Sequence, residues 1–208
     1  MLEQSALELV ASQGERLPIE AYRRDFRRYR GDVRGRHSWK LERRQDFEEQ
    51  DASWEAFRHG RWEEALRLLE DEREDLEKAV QRDRERSTAF HRVRVVEEPL
   101  TPYLHWELHA LRVQAECGKK IRVVGPAQVA AFEAGGPLPE VVVVGDQVLY
   151  QVLYTEAGSL DGAVRFLEPG LVRRWGDFIR TLYETGEDVL PFFARSVAHL
   201  RPPQTKAE

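Results

Sequence analysis

The chain has one cysteine and one methionine in 208 residues. A lone Cys117 cannot form an intramolecular disulfide or a multi-cysteine metal site, and it points to a reducing compartment. Long apolar runs are missing as well. None approaches the roughly 20 residues of a membrane-spanning helix. The start, MLEQSALELV, lacks the basic flank and apolar core of a secretory leader. We therefore expect a cytoplasmic protein. There is no glycine-rich phosphate loop, no Gly-x-Ser-x-Gly elbow and no two-cysteine pair, and Cys117 has no evident histidine partner. With no catalytic or cofactor motif, the expectation is a non-enzymatic protein without cofactor or metal. A net charge of -5 argues against a protein that is basic throughout and coats nucleic acid.

What is present suits a folded core. Five Trp and nine Phe accompany 33% charged residues, so the chain is globular rather than disordered. Leu2 to Gln13 has a short helical stripe, and a second helix is expected from Ile19 to Tyr29. Trp54 and Phe57 share one helix face. Past Gly60, Trp62, Ala65, Leu66, Leu69, Leu76 and Val80 define a longer helix with charged outer faces. After Ser87 the period changes. Val93, Val95 and Val96 read as a buried strand, and Thr101-Pro102 as a helix start. Leu104, Leu108, Leu111 and Ala115 form one apolar face, Gly118 is a stop, and Ile121, Val123 and Val124 are the next strand. Two strands joined by such a helix are expected to be parallel, with a right-handed crossover. A short helix follows from Pro126 to Glu133. Three strand-like runs then turn at Gly145-Asp146 and Gly158 to Gly162. A helix after Pro169 carries Leu171, Trp175, Phe178 and Leu182, and Gly186 breaks it before Val189 to Leu200. The fold class is α/β, or α+β overall. A helical part (1–86) packs on a mixed sheet (87–200) that has a parallel β-α-β crossover and a terminal helix, and residues 201–208 form a tail.

Four segments carry candidate chemistry. Tyr22 to Arg44 holds ten Lys or Arg against three acids, a net +7, so the rest of the chain is -12. Arg23, Arg24, Arg27, Arg28, Arg30, Arg34, Arg36 and Lys40, interleaved with Tyr22, Phe26, Tyr29 and Trp39, suit phosphate pairing and base stacking. Alternatively, the aromatics anchor the helix and the arginines pair with the acidic helix from Glu63 to Glu77. His105 and His109 share a helix face, but HWELH places its glutamate about 100° from where metalloprotease chemistry needs it. Glu97 and Glu98 end a strand of a parallel sheet, where ligands usually bind. Tyr103, Trp106 and Glu107 follow, so these five are the expected small-ligand or partner site. Finally, FRHGRWEEALRLLEDE has the Gly-x-aromatic-x-x-Ala-Leu pattern of a tetratricopeptide hairpin, in one copy only.

The segments SWKLERRQDFEEQDASWEAFRHGRWEEAL and RVRVVEEPLTPYLHWEL, with the hairpins before GAVRFLEPGLV, resemble an uncharacterised actinobacterial family, a domain of unknown function. The likeness runs from about Asp25 to Arg195, and EPLT-x-Y-x-x-W-E-L is its most specific part. Members are often encoded beside small helix-turn-helix regulators, which implies a regulatory role and such a regulator as protein partner. The α/β half is also similar to phospholipase D-like domains of some regulators. That signature needs His-x-Lys, whereas His37 here is followed by Ser38, Trp39 and Lys40, so a degenerate domain without activity is implied. The expected function is a binding or regulatory protein acting through a protein partner or small ligand. The alternative is nucleic-acid binding through residues 22–44. Phe192 and Phe193, beyond the Gly186 break, are candidate contacts of a homodimer.

Overall fold

The computed structural model describes residues 7–203. Among them eight strands form one mixed sheet: β1 (Glu15–Leu17), β2 (Ser38–Glu42), β3 (Phe90–Val95), β4 (Lys120–Val124), β5 (Val141–Val144), β6 (Val148–Tyr154), β7 (Leu160–Phe166) and β8 (Glu187–Asp188). Their spatial order is β1-β7-β6-β5-β2-β3-β4-β8. β2, β3 and β4 run parallel, and the other pairings are antiparallel.

The crossover from β3 to β4 forms as its residues dictate. The Thr101 hydroxyl accepts from the N–H of Leu104 at 3.0 Å and Pro102 occupies the first turn, so α5 (Pro102–Glu116) starts there. It ends where Gly118 takes φ +100°, a conformation that costs a glycine little. Leu104, Leu108 and Leu111 then meet Ile121 and Val123 of β4 in one apolar cluster. The register Val93↔Arg122 and Arg94↔Val123 confirms that the two strands are parallel neighbours.

Helices cover both faces. On one, α7 (Pro169–Thr185) lays Leu171, Val172, Trp175, Phe178, Ile179 and Leu182 over Trp39, Leu41, Val93, Val95, Val141 and Val143. On the other, α1 (Ile19–Asp32) covers β5 to β7 with Tyr22, Phe26 and Tyr29, while α5 and α8 (Val189–Ser196) cover β4. A third layer, α2 (Ala52–Arg58), α3 (Trp62–Asp71) and α4 (Arg73–Glu85), packs on the outer side of α5. Its aromatic cluster joins Trp54 and Phe57 to Tyr103 and Trp106. α2 and α3 are separate helices on either side of Gly60 and pack against each other, as ordinary helix packing expects. The short helix near residue 126 is α6 (Pro126–Val129) followed by a 3-10 turn.

Several elements differ from expectation. The sheet draws on both sides of residue 86. β2 lies at its centre and β1 at one edge, because Trp39 and Leu41 contribute to the same core as Val93 and Val95. The long helix from Trp62 to Val80 is two helices meeting at Glu72, which lets Val80 reach Gly118 at the end of α5. The N-terminal helix falls partly outside the described residues; within them Leu7 is in 3-10 conformation and a 3-10 turn spans Ala11–Gln13, with no α-helix between them. Phe192 and Phe193 are 8% exposed and pack within the chain against α5 and β4. No helix among the described residues is long and apolar enough to cross a membrane.

Candidate functional site

Strand alternation places charge in the middle of the sheet. Trp39 and Leu41 of β2 and Val93 and Val95 of β3 face α7. Lys40, Glu42, Arg92 and Arg94 therefore face the opposite side, in the register Lys40↔Arg92 and Glu42↔Arg94. There they meet Glu107 of α5. Arg94 is 0% exposed. Its Nε donates to Glu107 Oε2 at 2.7 Å, its Nη1 donates to the Arg44 carbonyl at 2.5 Å, and its guanidinium lies 5.7 Å from the centre of the Phe47 ring. Glu42 bridges Lys40 Nζ at 2.5 Å and Arg92 Nε at 3.3 Å. Burial pushes the Glu42 carboxyl up, but Arg92, Lys40 and Arg94 outweigh it and hold its pKa at about 2.

A second carboxyl closes this seam. The pair Leu41↔Val141 brings the next positions, Glu42 and Glu140, opposite each other across β2 and β5. Glu140 Oε1 accepts from the N–H groups of Arg43 (2.9 Å) and Arg44 (2.6 Å). Burial, reinforced by Glu42, pushes its pKa up to about 7 against those two bonds. Tyr103 donates its hydroxyl to Glu49 Oε1 at 2.9 Å beside the same group. Such a seam is costly to desolvate and costly to break. Arg94, Glu42, Glu107 and Glu140 are all buried, so the seam is enclosed between the sheet and α5.

The structure places the five residues of the expected strand-end site in different surroundings. Glu97 caps the surface loop, its N–H donating to Gln45 Oε1 at 2.8 Å and its carboxylate meeting Arg43 Nη1 at 2.7 Å. Glu98 is exposed beside a cis bond to Pro99. Tyr103 and Trp106 are 3% and 4% exposed in the aromatic cluster, where the Trp106 indole donates to Ser53 Oγ at 2.9 Å. Glu107 belongs to the seam. His105 and His109 stack 5.7 Å apart against Trp62. Burial lowers the pKa of His105, and burial, the neighbouring His105 and Arg112 push His109 down to about 4. A cavity of about 580 Å³ opens elsewhere, between Phe132, the Gly135 to Pro139 loop, Gln151 and Trp175. The alternating strings SWKLE and FHRVRV were the signal for Glu42, Arg92 and Arg94. Only the pairing of β2 with β3 shows that their charged positions coincide.

The basic stretch divides by face. Tyr22 packs on Tyr150 with ring centres 5.2 Å apart and Phe26 on Phe90 at 6.5 Å, so the aromatics of α1 anchor it to the sheet. Arg23, Arg24, Arg27 and Arg28 are left exposed on the outer side, as are Arg34 and Arg36 in the following loop. Arg30 turns inward to Asp83 of α4 at 2.6 Å, and Lys40 joins the seam. The acids of α3 and the start of α4 do not take these arginines. Glu64, Glu70, Asp71, Glu74 and Asp75 bridge Arg61, Arg67, Arg73, Lys78 and Arg112 instead. Arg24 and Arg27 have no ion-pair partner among the described residues, and Arg23 meets only Glu20, at 3.3 Å.

Comparison with known families gives one assignment. A family model described as a domain of unknown function (DUF6879) matches residues 24–194, most of the chain, and the protein belongs to that family. No curated protein matches it.

Proposed function

We propose that this protein is a non-enzymatic, transcription-associated binding protein that engages nucleic acid through the arginine face of α1. The observation that carries this reading is the division of that helix. Its aromatic stripe is consumed by the sheet, and its guanidinium groups stand exposed and largely without acidic partners. Exposed arginines on a rigid helix are suited to phosphate pairing, and unpaired ones give up no internal partner on binding. The family resemblance, whose members often lie beside helix-turn-helix regulators, supports a role in the same setting. The burial of Tyr103, Trp106 and Glu107 is why the reading rests on α1 and not on a strand-end pocket.

The test is anisotropy of a labelled DNA duplex titrated with the full chain over a range of salt. Affinity is expected to fall steeply with salt. Arg24→Gln, Arg27→Gln and Arg28→Gln together are expected to flatten the log–log slope by about 0.9 for each phosphate that is no longer paired. Because these side chains are exposed, the variant should melt within a few degrees of the parent. Absence of binding at low salt, or an unchanged slope with a sharply lowered melting temperature, would overturn the proposal.

A further inference from the structure

The arginine face does not stop at the end of α1. The loop that follows is tied to the turn after α4, where Gly35 N–H donates to the Arg86 carbonyl at 3.0 Å and the Thr88 hydroxyl donates to the Arg36 carbonyl. Arg30 of α1 crosses to Asp83 of α4. At 100° per residue, Arg23, Arg27 and Arg30 lie within about 60° of one another, so the flank that carries Arg23 and Arg27 is the one turned toward α4. The last turns of α4 add exposed Arg82 and Arg84. The turn from α5 into β4 adds Lys119 and Lys120. A small cavity of about 70 Å³ lies there, lined by Asp83, Arg84, Thr88, Lys119 and Lys120 among others. Basic residues far apart in the chain, at 30–36, 82–84 and 119–120, thus approach one another at one end of the molecule, where the parallel strands begin.

Lys119 is one member of this gathering that is left without an ion pair: it is partly buried and has none within 4 Å among the described residues. Burial lowers its pKa, and Arg30, Arg92 and Arg82 push it the same way. Asp83 attracts it but is engaged by Arg30, and Glu85, the other acid of the last helical turn, accepts from Gln81 at 3.1 Å. Holding a half-desolvated ammonium among guanidinium groups is unfavourable in the free protein, and an anion in the adjoining cavity relieves it.

Resting on the reading of α1, we infer that Arg36, Arg82, Arg84, Lys119 and Lys120 extend its arginine face into one cationic track for the sugar-phosphate backbone of a nucleic-acid duplex, with one phosphate seated beside Lys119. A duplex fits better than a single strand. Tyr22 and Phe26 of α1 pack inward on the sheet, so these rings do not serve as a platform for unstacked bases. Recognition through phosphates alone positions a duplex without reading its sequence.

The experiment compares the full chain with Arg82→Gln/Lys119→Gln/Lys120→Gln, using a fluorescein-labelled duplex and one of its strands. The pair Arg82→Gln/Lys120→Gln, both exposed, controls for any folding effect at Lys119. Duplex is expected to bind more tightly than single strand. The triple variant should flatten the salt slope by roughly 2–3, and the pair by roughly two-thirds of that. If the α1 variant loses binding while both of these keep the parent slope, the extension is wrong and the α1 reading stands. If neither surface matters, both fall. Single strand binding as tightly as duplex, or poly-glutamate displacing the duplex at equal charge, would overturn the assigned occupant.

Discussion

Replacing Arg94 with methionine removes the centre of the charged seam while keeping much of the side chain's apolar length. Arg94 is fully enclosed, and it donates to Glu107 and to the carbonyls of Arg44, Val95 and Glu42. Without it, Glu107 keeps a buried carboxylate but loses the cation 2.7 Å away. Breaking a buried pair by deleting one partner costs about 3–5 kcal/mol, mostly the penalty of the charge left behind. In a domain of this size each kcal/mol lowers the melting temperature by about 2–4 °C, so a fall of roughly 6–20 °C is expected at pH 7. Urea unfolding of Arg94→Met, Glu107→Gln and the double variant closes a cycle. The double variant should be clearly more stable than the sum of the singles, because it leaves no unpaired charge. If Arg94→Met costs less than about 1 kcal/mol, or the cycle is additive within about 0.5 kcal/mol, the seam is not what holds the centre of the fold.

Two further outcomes follow from buried groups. Glu140 titrates near 7 in the folded chain, well above an unfolded glutamate, so between about 4.5 and 7 the folded state binds more protons than the unfolded one. The stability this confers is complete below about 4.5 and is lost as pH rises through 7. Relative to Glu140→Gln, the parent should therefore lose about 3 kcal/mol over that window. His91 and His109, pushed down to about 4 mainly by burial, remove stability as pH falls from 6.5, but they are common to both proteins and cancel in the difference. A difference that stays flat from pH 5 to 8 would refute the assignment. Phe193 packs on His109 at 4.8 Å and under Arg112 at 5.5 Å, so Phe193→Ser should cost about 3–5 kcal/mol. Denaturation at several protein concentrations checks this, since a loss that vanishes on dilution would place the ring in an interface between copies.

Local signals made much of the second half legible. Thr101, Pro102 and Gly118 set the ends of α5 through caps that act within a few residues. The 4-3-4 spacing of Leu104, Leu108, Leu111 and Ala115 determined which side faces β4. Turn chemistry did the same for the β5–β6 hairpin, where Gly145 and Asp146 both take positive φ. The composition of 22–44 also showed that α1 is arginine-rich, and its period showed that the aromatics lie on one side.

What the sequence alone could not determine is every juxtaposition that spans a long stretch of chain. Ser38 to Arg44 (SWKLERR) reads as a short strand or a turn, because so short an alternation is weak until a partner is known. Pairing with β3 on one side and β5 on the other puts it at the centre of the sheet. That register aligns Glu42 with Arg94 and Glu140, residues 52 and 98 positions away. The same limit hid the approach of Thr88 to the Arg36 carbonyl and of Arg30 to Asp83. Helical period, caps and turns are short-range effects carried by neighbouring residues. Which charged faces come together depends on strand order and helix packing, and these are settled by burial of the whole apolar surface at once.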